Sequence, residues 1–326
     1  MRITVLGSGA WGTALAKLLA EGGHAVTAWD YFPETLAGIR AMGRNERYLP
    51  GIALPPTLAT EPDLSRATAD AELVVVASVS KGFRAVTQSL GEFTGIVVSV
   101  TKGIEFETGL TMSGVLAANA PRARVAALSG PTLAMEVARG VPAAVVAASA
   151  DPEVAQVVQA LFHRPAFRAY TSRDIHGVEL GGALKNVIAI AAGVGDGLGF
   201  GDNSKAALVT RAVAEMRRLG VACRAQPETF TGLSGLGDLM VTCFSKLSRN
   251  RGFGERIGRG EQPADVVASM VAVAEGYPTA RAARQLAAMK GVSAPIISET
   301  FAMLYEGKPA RQALQDLLAR ESKAED

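Results

Sequence analysis

A chain of 326 residues with 48% hydrophobic content is long enough for a substantial core and, as a first expectation, two domains. Lys and Arg total 33 against 31 for Asp and Glu, so the formal charge of +2 gives no bulk reason for a nucleic-acid or membrane-surface partner. The two cysteines, Cys223 and Cys243, are too few for a disulfide framework and lack zinc-site spacing, which points to a reducing, cytoplasmic compartment.

Residues 2–6 form a short β-branched run, and residues 10–21 place Leu15, Leu18 and Leu19 at helical spacing. Gly7, Gly9, Gly12 and Lys17 break this apolar start, so it does not read as a secretory signal. A second strand is predicted over 25–29, and further short apolar runs lie at 72–77, 95–100, 125–128 and 143–147. Strands interleaved with helices predict a parallel sheet covered on both faces. After about residue 172, Ala- and Leu-rich segments take over at 174–195, 203–219, 263–273, 278–289, 296–305 and 309–320, which predicts an all-α second half. Ser172 or Asp174 can cap the first of these helices, so the expected division is 1–175 and 176–326. No spanning helix is expected, because the apolar stretch from Val187 is cut at Asp196. The charged run Glu321 to Asp326 reads as a frayed tail.

Gly7-Ser8-Gly9-Ala10-Trp11-Gly12 matches G-x-G-x-x-G between the first strand and the first helix. Gly7 permits the tight turn, Gly9 leaves room for a pyrophosphate, and Gly12 lets helix and strand pack closely. The helix N-terminus then offers free N–H donors and a partial positive charge to the phosphates of a dinucleotide. Asp30 stands eighteen residues beyond Gly12, near the roughly 20-residue spacing of an acid that reads the adenine ribose. A carboxylate there repels a 2′-phosphate and predicts NAD over NADP, unless Arg40 or Arg44 folds back; the alternative is that Asp30 caps the next helix.

Three polar segments stand out beyond the turn. Thr101-Lys102-Gly103-Ile104-Glu105 and Ser129-Gly130-Pro131-Thr132 each follow a predicted strand, where doubly wound sheets bind ligands. Taken alone, Lys102 is more often a solvated charge and the second segment only a turn. Lys185 and Asn186 lie in an otherwise small and apolar helix, where burial brings a lysine towards proton exchange near neutral pH. A lysine snorkelling from a core helix is an equal reading of that segment by itself.

With Gly235-Leu236-Gly237-Asp238-Leu239-Met240-Val241-Thr242-Cys243 and Ser248-Arg249-Asn250-Arg251, the set closely resembles the NAD(P)-dependent glycerol-3-phosphate dehydrogenases of bacteria. The shared markers are the glycine fingerprint, T-K-G-x-E, S-G-P-T, L-K-N, G-x-G-D-L-x-x-T-C, S-R-N and V-A-E-G, in order from Gly7 to Glu275. The resemblance implies a Rossmann-type α/β half followed by an all-α half. It also implies hydride transfer between NAD(P) and sn-glycerol 3-phosphate or dihydroxyacetone phosphate, supplying glycerol phosphate for phospholipid synthesis. Ala10 and Trp11 would join the glycines at the cofactor, with Tyr31 and Tyr48 on its adenosine side, Ala134 beside it, and Val273 and Glu275 closing over it. Lys102 would touch cofactor and substrate. Gly130, Thr132, Asn186, Ser248 and Asn250 would line the substrate site, and Arg249 would reach both ligands. Lys185 would accept the C2 hydroxyl proton, with Lys102, Asp238 and Thr242 as its catalytic company. Lys102 would lower its pKa by repulsion and Asp238 would oppose that shift; which prevails is open. Tyr31 stands where relatives often carry a basic or imidazole side chain, which argues against NADP, and Met135, where they often carry Lys, receives no role.

Two rival readings share the fold. Hydroxyacid dehydrogenases also pair a dinucleotide domain with a helical domain bearing a lysine, and a redox-sensing module would bind NADH without chemistry. The Gly-x-Gly-Asp and Ser-Arg-Asn segments oppose the first, and Lys185 with Asp238 the second. His24, His163 and His176 show no metal-ligand spacing, and neither a complete nucleophile elbow nor a P-loop occurs. The partners expected are a small phosphorylated substrate and, from the apolar helical half, a second copy in a homodimer.

Overall fold

The computed structural model describes residues 1–319, so the reading of Glu321 to Asp326 as a frayed tail lies outside the described residues. The first half is one eight-stranded sheet built from β1 (Arg2–Leu6), β2 (Ala25–Trp29), β3 (Ala59–Thr60), β4 (Leu73–Val76), β5 (Ile96–Ser99), β6 (Arg124–Ser129), β7 (Ala143–Ala148) and β8 (Phe167–Ser172). The order is β3-β2-β1-β4-β5-β6-β7-β8, parallel except where β6 and β7 run antiparallel. β4 and β5 are buried on both faces, as expected of apolar strands covered by helices on either side. The covering helices are α1 (Ala10–Glu21), α2 (Pro33–Met42), α3 (Leu64–Ala69), α4 (Phe83–Thr87), α5 (Met112–Asn119), α6 (Ala134–Ala138) and α7 (Pro152–Phe162).

The chain reverses its direction of travel across the sheet between β1 and β4. The crevice at the carboxyl ends of these two strands is where such sheets take ligands, and Gly7 and Ser78 lie at its lips. β3 and β8 were not expected from sequence: β3 has two residues, and β8 alternates buried with exposed positions instead of forming an apolar run.

The second half is helical: α8 (Ile175–Gly197), α9 (Asp202–Ala222), α10 (Asp238–Phe244), α11 (Arg249–Gly258), α12 (Pro263–Ser269), α13 (Gly276–Met289), α14 (Pro295–Tyr305) and α15 (Ala310–Leu318). α8 is apolar on all sides because it is the centre of this half. It is long and apolar enough to cross a membrane, yet 94% of its most apolar window is buried inside the protein. Asp174 caps it, its Oδ1 accepting from Gly177 N–H at 2.9 Å. The helix expected over 263–273 stops at Ser269. Met270 turns extended, and the β-branched Val271 and Val273 carry the chain along an open cleft.

α8 and α11 cross at backbone contact. A Cβ on Gly254 would overlap the Ile190 carbonyl oxygen, and one on Gly193 would overlap that of Arg251. This approach places the start of α11 beside the middle of α8. Gly254→Ala is expected to cost about 3 kcal/mol in urea unfolding, whereas Gly252→Ala on the same helix, with nothing within 4 Å of the added Cβ, gains about 0.5–1 kcal/mol.

Candidate active site

A cleft of about 420 Å³ runs between the carboxyl ends of the strands and the helical half. Its floor is the glycine turn. Gly7 holds φ at +107°, which L side chains rarely adopt, and a Cβ on Gly12 would overlap the Gly7 carbonyl oxygen. A Cβ on Gly9 would meet nothing within 4 Å, so this is open space beside an α1 N-terminus that no side chain caps. The Trp11 indole N–H and the Ser78 hydroxyl both line the cleft and are buried without a protein partner. An empty cradle, a free helix N-terminus and two orphaned polar groups fit a dinucleotide. Ala10, Tyr48, Ala134, Val273 and Glu275 line the same cleft.

At its inner end, a single carboxylate joins the two halves of the molecule. Asp238 is 1% exposed; its Oδ2 accepts from Lys102 Nζ at 2.6 Å, and its Oδ1 lies 3.0 Å from Lys185 Nζ. Lys102 comes from the loop after β5 and also donates to the Gly130 carbonyl at 3.1 Å, which in turn accepts from the Thr132 hydroxyl at 3.1 Å. Lys185 comes from the middle of α8 and donates to Thr242 Oγ1 at 2.7 Å, while Thr242 donates to the Asp238 carbonyl at 2.6 Å. Glycine makes this meeting feasible. Before α10 the chain makes a wide π-type turn, closed by Gly237 N–H on the Gly232 carbonyl at 3.1 Å, and Gly181 of α8 lies against its Ser234 carbonyl with no space for a side chain.

Burial pulls the Lys185 pKa down to about 8; attraction to Asp238 opposes this, and repulsion from Lys102 adds to it. Desolvation therefore prevails over the attraction of Asp238, which in turn outweighs the repulsion from Lys102. An ammonium has three N–H donors, and Asp238 and Thr242 engage two of those of Lys185, leaving one for the cleft that Lys185 and Thr242 line. Beside it, Asn186 Oδ1 accepts from Asn250 Nδ2 at 2.9 Å, and Asn250 Oδ1 accepts from Gly276 N–H at 2.9 Å. Ser248 caps α11, accepting from Arg251 N–H at 3.2 Å. Arg249 then opens onto the cleft at that helix start, with no hydrogen bond or ion pair to any described residue.

Residues 2–155 match the family described as NAD-dependent glycerol-3-phosphate dehydrogenase N-terminus, and residues 174–315 match its C-terminus counterpart. The chain belongs to this family. It is 50% identical to a glycerol-3-phosphate dehydrogenase, NAD(P)+, of Geobacter sulfurreducens, over 99% of this chain and 98% of that one. Its identity to the enzyme of the same description from Chlorobium limicola is 48%, over 100% and 99%. Among solved structures, the glycerol-3-phosphate dehydrogenase of Coxiella burnetii superposes with a TM-score of 0.95 at 35% identity, covering 98% of this chain and 99% of that one.

Two residues assigned from sequence to the adenosine side of the cofactor, Asp30 and Tyr31, stand apart from the cleft lining. Tyr31 is 75% exposed and packs edge-on against Phe32. Asp30 does not present its carboxylate to the cleft: Oδ2 accepts from Ser8 N–H at 2.6 Å and Oδ1 from Phe32 N–H at 2.9 Å. Asp30 thus braces the glycine turn and the entry to α2. Arg40 is turned to Thr60, and Arg44 lies 3.8 Å from Glu46. The cation that does line the cleft there is Arg47, stacked over the Tyr48 ring at 5.2 Å.

Sequence reasoning also passed over Asn45, which donates to the Ser8 carbonyl and to Thr13 Oγ1 and completes the brace. Glu179 was missed too. It is buried on α8, accepts from Ser113 N–H at 2.8 Å, and fastens the helical half to the N-terminus of α5. If Asp30 is a brace, Asp30→Ala raises KM for NADH and NADPH alike, by about tenfold, the scale of a lost hydrogen bond to a charged group. A selective gain with NADPH would show instead that Asp30 reads the ribose.

Proposed function

We propose that this chain interconverts sn-glycerol 3-phosphate and dihydroxyacetone phosphate, using NAD(P) bound on the glycine turn, and supplies glycerol phosphate for phospholipid synthesis. The observation that carries this reading is the Lys102–Asp238–Lys185 bridge beside an unpaired arginine. Three segments far apart in the chain meet there and bring a proton carrier and an anion anchor into one cleft. NAD(P), when bound, takes up or supplies the hydride.

In the oxidising direction, neutral Lys185 accepts the C2 hydroxyl proton through the position not engaged by Asp238 and Thr242. In the reducing direction its ammonium polarises the ketone and protonates the developing alkoxide. Asp238 fixes both lysines in place, and Thr242 fixes the rotation of the amine. Arg249, at the start of α11, holds the phosphate with directed donors, and the Asn186–Asn250 pair sets its distance from Lys185. Lys102, Gly130 and Thr132 shape the opposite wall. Arg47, a cation in the cleft wall next to Tyr48, would suit a 2′-phosphate, and both NADH and NADPH are expected to serve. The division between cofactor half and substrate half is placed at 175/176, where Asp174 caps α8. The compartment proposed is the cytoplasm, in keeping with two free cysteines. The assembly proposed is a homodimer, which light scattering tests.

The direct test follows NADH and NADPH absorbance with dihydroxyacetone phosphate against a panel of 2-oxo and 3-oxo acids. Oxidation of either cofactor by the acids alone would reject the phosphate reading. Lys185→Ala is expected to cut kcat by about 10² or more, and Arg249→Ala chiefly to raise KM for dihydroxyacetone phosphate. The pH profiles follow from the Lys185 pKa of about 8. Glycerol phosphate oxidation needs the neutral amine, so its kcat/KM rises with pH and levels off above about 8. Reduction needs the ammonium and falls above the same point.

A further inference from the structure

Arg249 and Glu275 line the same cleft, and their charges act on one another, yet they form no ion pair. A guanidinium and a carboxylate sharing a cleft tend to close into a bidentate pair. Such a pair would occupy the donors on which a phosphate depends. Ser80, just after β4 on the sheet half, engages both carboxylate oxygens of Glu275. Its N–H donates to Oε1 at 3.1 Å and its hydroxyl to Oε2 at 2.6 Å. Ser80 cannot follow the carboxylate if it swings, because its side chain sits against Gly103, where a Cβ would overlap it. It also opens the tight 3-10 turn Ser80–Gly82 after β4, so its backbone is fixed.

We propose that Ser80 is a positioning residue: by holding the Glu275 carboxylate it keeps Arg249 open for the substrate phosphate. This rests on Arg249 as the phosphate anchor, and the experiment separates the two claims. Ser80→Ala, Glu275→Gln, the double variant, Ser80→Thr and Arg249→Ala are compared at saturating NADH. One measurement is KM and kcat for dihydroxyacetone phosphate. The other is Kd of sn-glycerol 3-phosphate for the enzyme–NADH complex, read without turnover from nucleotide fluorescence.

Ser80→Ala is expected to raise KM and Kd about tenfold, a larger change than that in kcat, and Ser80→Thr to restore both. In the Glu275→Gln background, where no carboxylate is left to capture Arg249, the Ser80→Ala change is expected to shrink to within about twofold. Ser80→Gly serves the same comparison if Ser80→Ala does not fold. An unchanged Kd in Ser80→Ala, or the same tenfold rise with Gln at 275, overturns the proposal while leaving the anchor intact. A normal KM and Kd in Arg249→Ala overturns the anchor, and the proposal with it.

Discussion

One buried carboxylate holds this molecule in register. Asp238 faces an ammonium from each half, Lys102 from the sheet side and Lys185 from the helical side. Burying ions costs several kcal/mol each, and their mutual attraction often no more than repays it, so such a cluster is a poor device for stability. Its value lies in position and proton affinity. Removing Asp238 leaves two ammonium groups without their shared partner, at a cost of about 3–5 kcal/mol. The two halves are therefore tied to one geometry, and Glu179, buried against the start of α5, makes a second tie across the same junction.

The rest of the fold brings this cluster together by omitting side chains. Gly181 admits the turn before Asp238, Gly182 of α8 lies against Lys102 and Ser129, and Gly193 and Gly254 let α8 and α11 touch backbone to backbone. Each contact is costly to widen, because a methyl group at the crossing has nowhere to go. Small residues at these positions fix where the lysine, the amide pair and the arginine stand relative to one another. Packing and chemistry are one constraint here.

The sequence made legible whatever depended on local pattern. The first strands, the glycine turn, α8 and its cap at Asp174 all follow from short-range periodicity and turn chemistry, and the motif residues Lys102, Lys185, Asp238 and Arg249 stand out because charge is unexpected in apolar surroundings. What stayed hidden depended on partners distant in the chain. β8 is recognisable only as an edge strand added to β7, and α11, with glycine at 252, 254 and 258, has little helix propensity and persists by docking on α8. Asp30 shows the limit most directly. Its spacing from Gly12 suited a ribose acceptor, but that spacing gives no sign that the same carboxylate accepts from Ser8 N–H and braces the turn. Ser80 carries no signal at all until Glu275, 195 positions away, is seen against it.

Charge in the cleft is governed by the same logic of occupied acceptors. Four cations, Arg47, Lys102, Lys185 and Arg249, face two carboxylates, Asp238 and Glu275, and each carboxylate already accepts from fixed donors. The excess positive field is therefore available to a dianionic phosphate even though the chain as a whole is nearly neutral. The proton at Lys185 follows from its surroundings. With a pKa of about 8, about nine-tenths of the amine is charged at pH 7, so the resting site holds the acid that ketone reduction needs. Oxidation must draw on the minor neutral form, which is present in useful amount because desolvation outweighs the attraction of Asp238. A drier helix would strip the proton that reduction needs, and a wetter one would leave too little neutral amine for oxidation.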